Sequence, residues 1–122
     1  MQDNVISRIA SKDFVAYVVW EPILKTDDER SSRKAVTLFP DERVKNYWVR
    51  TRAVGELFQA SIELDGEPAW DVYLVYEPGV VWDGDAPPEP TFFMHQLVGR
   101  LPDVQRLDGP KLRDEIAKIL SK

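Results

Sequence analysis

The sequence predicts an α/β fold built around a mixed sheet, and three observations support this class. Residues 14–20 and 72–76 are β-branched or aromatic without polar alternation, which is typical of strands covered on both faces. Helical patterns lie between the first three strand patterns. A tight turn follows the third strand. About four main strands with helices on both faces would form a three-layer α/β/α sandwich.

The composition indicates one folded domain. The chain has 122 residues, of which 43% are apolar and 30% charged, so intrinsic disorder as the main state is excluded. We expect a single domain over residues 1–122. There is no cysteine, which excludes disulfides, thiolate chemistry and cysteine metal sites.

The first half of the chain predicts strand, helix, strand. Residues 5–10 fit either a short helix or an edge strand. Phe14–Trp20 is the expected central strand, and Thr26 begins a capping box for a helix that should reach about Phe39, before Pro40. Residues 44–49 form the second strand.

The second half predicts helix, strand, hairpin and a late helix. Thr51 can cap a helix whose apolar stripe should be buried, and residues 72–76 form the third strand. Pro78-Gly79 suits a type II turn, which would return Val80–Trp82 as the hairpin partner. The stripe consists of Val54, Leu57, Phe58, Ser61 and Ile62.

Residues 83–107 are interpreted as an added proline and aromatic segment before the last helix. Within it, Thr91 should cap a short helix over residues 92–97. Asp108-Gly109-Pro110 then begins the last helix, with Leu112 and Ile116 in its buried stripe.

These elements bring two dipeptides together. A strand–helix–strand unit must be parallel and right-handed, and a hairpin must be antiparallel. The first and third strands then occupy the middle of the sheet. Because the third strand would begin where the first one ends, Trp20-Glu21 should lie beside Trp70-Asp71.

This order of elements resembles the thioredoxin fold over about residues 12–82 and the last helix. The strings Trp20-Glu21-Pro22, Trp70-Asp71-Val72-Tyr73 and Met94-His95-Gln96-Leu97 are also similar to those of a group of small bacterial thioredoxin-like proteins of unassigned function. The resemblance implies a thioredoxin-like three-layer sandwich.

Two departures from the thioredoxin family remove its redox chemistry. Its Cys-x-x-Cys motif would fall between Trp20 and Thr26, where this chain has no sulfur. Its cis-proline would fall at Asp71, and Pro68 lies three residues too early. Thiol–disulfide exchange is therefore excluded.

The candidate site combines acids, indoles and the single histidine. Glu21, Asp71 and His95 are the candidate catalytic residues, acting as acid–base groups. Each also has a structural interpretation: a solvated strand end, a loop-fixing acceptor, and a hydrogen-bonded anchor of the added segment. No metal site and no cofactor are expected. The binding residues are expected to be Trp20, Glu21, Trp70, Asp71, Trp82 and His95.

The net charge and the aromatic residues indicate which kinds of partner to expect. The net charge of −5 argues against nucleic acid, and no apolar run is long enough for a membrane span. Pro87-Pro88-Glu89-Pro90 with Trp82 and Phe92-Phe93 could form a lip that binds a protein partner or a second copy of the chain.

The sequence therefore predicts a redox-inactive binding or scaffold module in the cytoplasm. An exported protein whose signal peptide has been removed is the alternative location. A cysteine-free enzyme or metal-binding protein using Glu21, Asp71 and His95 is the alternative function.

Overall fold

The computed structural model describes residues 1–24 and 27–122, and it is a mixed α/β structure. Within these residues, four strands form two small sheets, accompanied by three α-helices. The chain divides into two compact units. The first unit comprises Met1–Arg52 and Gly109–Lys122, and the second comprises Ala53–Asp108.

The sheet of the first unit is parallel, as predicted. Strand β1 (Ala16–Trp20) pairs with β2 (Val44–Trp48), in a register that runs from Ala16 opposite Val44 to Trp20 opposite Trp48. Helix α1 (Glu29–Val36) connects the two strands. The strand–helix–strand order predicted from the sequence is thus confirmed in this unit.

The boundaries of α1 differ from the prediction. Asp28 is the N-cap, and its carboxylate accepts a 2.7 Å hydrogen bond from the backbone N–H of Ser31. The predicted cap, Thr26, lies outside the described residues. The helix ends at Val36 because the next N–H groups bond three residues back, as in the 3.2 Å bond from Thr37 to the Lys34 carbonyl.

One face of the parallel sheet is open, so the prediction that both faces of the first strand are covered is wrong. Alternate residues of β1 point to solvent, and Tyr17 is 66% exposed. Tyr47 of β2 lies on the same face, with its ring centroid 6.3 Å from that of Tyr17. The apolar run could not reveal this because tyrosine and valine remain compatible with an exposed strand face.

Arg43 holds the N-terminal segment in the first unit. Its guanidinium donates to the carbonyls of Ile6, Ile9 and Ser11 at 3.0, 2.6 and 2.8 Å. Both of its remaining N–H groups bond to the Asp41 carboxylate, at 2.9 and 2.6 Å. All five donors of this side chain are therefore used within the unit.

The last helix belongs to the first unit. Helix α3 spans Gly109–Leu120, as its sequence signals predict, and it buries Leu112 and Ile116. It borders a cleft of about 390 Å³ together with residues 8–11. This unit is therefore built from both ends of the chain.

The second unit contains an antiparallel strand pair and a small core. After α2 (Ala53–Phe58) and a 3-10 turn at Ala60–Ile62, strand β3 (Val72–Val75) pairs with β4 (Phe92–His95). The buried residues of the core are Ile62, Leu64, Ala69, Leu97 and Leu101.

The partner of β3 was predicted wrongly. The turn at Pro78-Gly79 exists: Gly79 has a φ of +88°, and the Val80 N–H bonds to the Glu77 carbonyl at 3.4 Å. However, Val80–Trp82 does not pair with β3 after this turn. Phe92–His95 takes that place, because this segment buries Met94 and His95 completely.

The helix predicted over residues 92–97 is therefore also wrong. A short apolar run bounded by turn signals fits a strand as well as a buried helix turn. The Thr91 hydroxyl does not cap a helix, and instead accepts a 3.1 Å hydrogen bond from the Glu77 N–H. Thr91 thus closes the ladder at the end of β3.

Candidate functional site

The residues predicted to form the site fall in both units. Trp20 and Glu21 belong to the first unit, whereas Trp70, Asp71, Trp82 and His95 belong to the second. The convergence of Trp20-Glu21 with Trp70-Asp71 stays a prediction.

Trp20 ends β1 and has a structural partner. Its indole N–H donates a 3.0 Å hydrogen bond to the Asn46 side-chain oxygen, and its ring lies 6.3 Å from that of Phe39. Glu21 follows directly and is half-buried. The Trp20 indole therefore fastens the parallel strands, because Asn46 is on β2.

Trp70 and Asp71 differ in environment although they are neighbours. Trp70 packs against the core of the second unit, whereas Asp71 is exposed and has a left-handed φ of +49°. The Asp71 carbonyl accepts a 2.9 Å hydrogen bond from the Gln96 N–H. The backbone of Asp71 thus closes one end of the β3–β4 pair, whereas a binding or structural role of its carboxylate stays a prediction.

The end of β3 also carries a tyrosine that is held in its neutral form. The Tyr73 hydroxyl donates a 2.8 Å hydrogen bond to the Gln96 side-chain oxygen. Burial, and to a lesser degree the negative charge of Asp71, raise the pKa of Tyr73 above its ordinary value. This phenol is consequently a hydrogen-bond donor near neutral pH and does not act as a base.

His95 is fully buried, and both ring nitrogens are bonded to backbone. The Leu97 N–H donates to Nδ1 at 3.0 Å, so Nδ1 carries no proton. Nε2 lies 2.8 Å from the Pro102 carbonyl oxygen, which can only accept, so Nε2 carries the proton. This neutral ring fastens the loop after β4 and offers no free nitrogen to a substrate or a metal ion.

Acidic and histidine side chains do not gather into a metal site in the described part of the chain, where no group of three or more could hold an ion. Helices that are long and apolar enough to cross a membrane are likewise absent from residues 1–24 and 27–122.

Trp82 presents the most prominent exposed aromatic ring of the second unit. It is 46% exposed, and its edge-to-face contact with Phe58 has a centroid distance of 5.6 Å. Its indole N–H donates a 3.0 Å hydrogen bond to the Gly84 carbonyl. Leu57 and Val81 are exposed beside these two residues in the chain. We call Leu57, Phe58, Val81 and Trp82 the tryptophan surface.

The proline-rich segment Pro87-Pro88-Glu89-Pro90, which follows Trp82 in the chain, is hydrogen-bonded to other parts of the second unit. The Ser61 hydroxyl donates to the Pro87 carbonyl at 3.3 Å, and the Tyr76 hydroxyl donates to the Pro88 carbonyl at 3.0 Å. Pro87 itself is buried. Only part of the predicted lip is therefore exposed, namely Trp82 and Glu89, while its other residues are buried or half-buried.

Charge is distributed very unevenly between the units. The second unit has a net charge of −9 and the first has +4. Residues 53–99 contain nine acids and neither lysine nor arginine. These acids are Glu56, Glu63, Asp65, Glu67, Asp71, Glu77, Asp83, Asp85 and Glu89. The tryptophan surface lies in this negative stretch.

An acidic cleft lies on the second unit next to α2. Its volume is about 490 Å³, and Glu56, Glu63 and Asp65 line it with Gln59, Ala60 and Leu64. Within the described residues, no side chain forms an ion pair with any of these three carboxylates. Glu56 directly precedes Leu57, so α2 contributes to both the cleft and the tryptophan surface.

The sequence analysis places Trp82 among the binding residues, which stays a prediction, but it misses the charge distribution and the exposure of Leu57 on α2. The signal for the charge was present, since a run of 47 residues without lysine or arginine can be read directly from the sequence. The exposure of Leu57 was hidden because its spacing matches a buried helical stripe.

Comparison with known proteins adds no assignment. No protein-family model matches the chain, and no curated protein or solved structure is significantly similar to it.

Proposed function

We propose that the chain is a redox-inactive, thioredoxin-like binding module. The observation that supports binding is the exposed, fixed indole of Trp82 on the tryptophan surface. Its N–H is bonded to Gly84 and its ring rests on Phe58. An exposed aromatic ring that is already held in place loses little conformational freedom on binding, which favours its use as an anchor.

The order of elements supports the thioredoxin-like part of the proposal. The chain runs β1, α1, β2, α2, β3, β4 and α3, with β1–β2 parallel and β3–β4 antiparallel. A parallel pair followed by an antiparallel pair is the order that the sequence resemblance implies, with Phe92–His95 in the place that the resemblance gives to Val80–Trp82. The missing cysteines make such a domain redox-inactive.

The alternative enzyme gains no support from His95. Both of its ring nitrogens serve the loop after β4, so acid–base work would require breaking a buried hydrogen bond. A binding role needs no such change.

Site-specific photocrosslinking tests the binding proposal. A photoreactive amino acid at Val81 samples the tryptophan surface, and the same residue at Val104 is a matched control, because these side chains are 72% and 74% exposed. We expect discrete crosslinked species from position 81 in cells, lost when Trp82→Ala is added. Equal crosslinking from both positions, or none from position 81, would contradict the proposal.

A further inference from the structure

We propose that the tryptophan surface binds a basic protein segment that carries an apolar or arginine anchor. This inference rests on the proposed binding function and assigns the chemical class of its partner. The tryptophan surface supplies the contact area, and the surrounding acids select the charge.

Two chain segments meet in the apolar part of this surface. The Phe58–Trp82 contact, with rings 80° apart, joins α2 to the loop that carries Val81. Leu57, the residue before Phe58, is 44% exposed, whereas Trp82 and Val81 are 46% and 72% exposed. Burial of such side chains is favourable by roughly 25 cal/mol per Å² of apolar area.

The charge around this surface has one sign. Asp83 and Asp85 follow Trp82 in the chain, and Glu56 precedes Leu57. The second unit has only two bases, Arg100 and Arg106, and Arg100 is paired with Glu67. An acidic or nucleic-acid partner would be repelled, whereas a basic one would be attracted and steered.

The acidic cleft gives the basic groups of such a partner a place to bind. The carboxylates of Glu56, Glu63 and Asp65 line about 490 Å³. Guanidinium groups suit this arrangement, because they bond to carboxylates in pairs and also stack on indole rings. A segment that contains both arginine and leucine supplies both kinds of group: leucine for the tryptophan surface, and guanidinium for these carboxylates or for the Trp82 ring.

The test uses isothermal titration calorimetry of the full chain with three synthetic peptides. The probe peptide repeats Arg-Leu-Arg, and the two controls replace every arginine with serine or with glutamate. We expect binding of the arginine peptide alone, weakening when NaCl rises from about 0.05 M to about 0.5 M. Trp82→Ala should weaken this binding about tenfold or more.

Further variants separate the contribution of the apolar contact from that of the negative charges. Val81→Ser should also weaken binding, and it leaves the Phe58–Trp82 contact in place should Trp82→Ala fail to fold. Glu63→Gln combined with Asp65→Asn should reduce the salt dependence. The matched controls are Tyr17→Ala and Glu42→Gln, two exposed positions of the first unit, and neither should change the affinity.

Four results would overturn the inference, and they separate it from the proposed function. If the arginine peptide does not bind at millimolar concentration, or if Trp82→Ala leaves its affinity unchanged, the proposal of a basic partner at this surface is wrong. If the serine peptide binds with the same affinity as the arginine peptide, selection by charge is wrong, whereas the proposed binding function is still supported. Self-association of the chain at low salt that is lost with Trp82→Ala would assign the surface to a second copy instead.

Discussion

Single side chains in this protein fix backbone segments through several hydrogen bonds each. Arg43 collects three carbonyls from the N-terminal segment, and His95 bonds to the loop after β4. Neither is exposed, and neither has a donor or acceptor left for a ligand. At this scale the sequence was informative about the type of residue and uninformative about its partners.

Replacement of Arg43 by lysine should destabilise the protein, because lysine has three donors and guanidinium has five in a fixed fork. At least two of the bonds to Ile6, Ile9, Ser11 and Asp41 would be lost. Thermal unfolding followed by circular dichroism would measure the change. Arg33→Lys, at an exposed ion pair with Glu29, is the matched control and should have little effect.

Protonation of Asp41 at low pH should weaken its ion pair with Arg43. Hydrogen bonds from Arg43 lower the pKa of Asp41 from 3.8 to about 2. The stabilisation by its carboxylate is therefore complete above about pH 4 and is lost as the pH falls through about 2. Denaturant unfolding at a series of pH values should show wild type and Asp41→Asn converging near pH 2. A constant difference down to that pH would be inconsistent with this pairing.

Replacement of His95 by alanine should lower the free energy of unfolding by about 2–4 kcal/mol, since it leaves the Leu97 N–H and the Pro102 carbonyl without partners and opens a cavity. Urea denaturation would measure it. Val104→Ala in the same unit is the control, expected to stay within about 0.5 kcal/mol. A small loss for His95→Ala would mean that its bonds are dispensable.

At the scale of elements, the sequence predicted β1, β2, β3 and α3 well because their signals are local. Capping residues, prolines and β-branched runs act within a few positions of the chain. The position of β4 required long-range information. Val80–Trp82 and Phe92–His95 are both short apolar segments after β3, and only packing of Met94 and His95 selects the second.

The same reason explains which parts of the site were predicted. The nearby prolines and aromatic residues led to the expectation of an exposed lip that includes Trp82, and this residue is 46% exposed. His95 is hydrogen-bonded as expected, but both of its partners, Leu97 and Pro102, lie within residues 83–107, so these bonds do not anchor that segment to the core. The Phe58–Trp82 contact joins positions 24 residues apart, and the sequence contains no local signal for such a pair. Contacts at this distance depend on how α2 packs.

Leu112→Ala should test the packing of α3. The side chain is 2% exposed, so its truncation should cost about 2–5 kcal/mol. Chemical denaturation would measure the loss in the free energy of unfolding. Lys111→Ala, on the exposed side of α3, is the control for the effect of introducing alanine into this helix. Similar, small effects of both substitutions would show that α3 contributes little to stability.

At the scale of the whole molecule, the described residues form two two-stranded sheets, β1–β2 and β3–β4, and the single mixed sheet expected from the sequence stays a prediction. NMR spectra should contain Hα–Hα cross-peaks between Val72–Val75 and Phe92–His95, because facing residues of antiparallel strands lie close together. Absence of these cross-peaks would contradict the register that places His95 opposite Val72.

The path of the chain through the two units has a consequence for its biosynthesis. Residues 53–108 form one unit from a continuous stretch, so all of its parts leave the ribosome before α3 does. The first unit lacks Leu112 and Ile116 until residues 53–108 have been made. Residues 1–52 are therefore synthesised before the second unit but completed after it, and they remain without the packing of α3 during that interval.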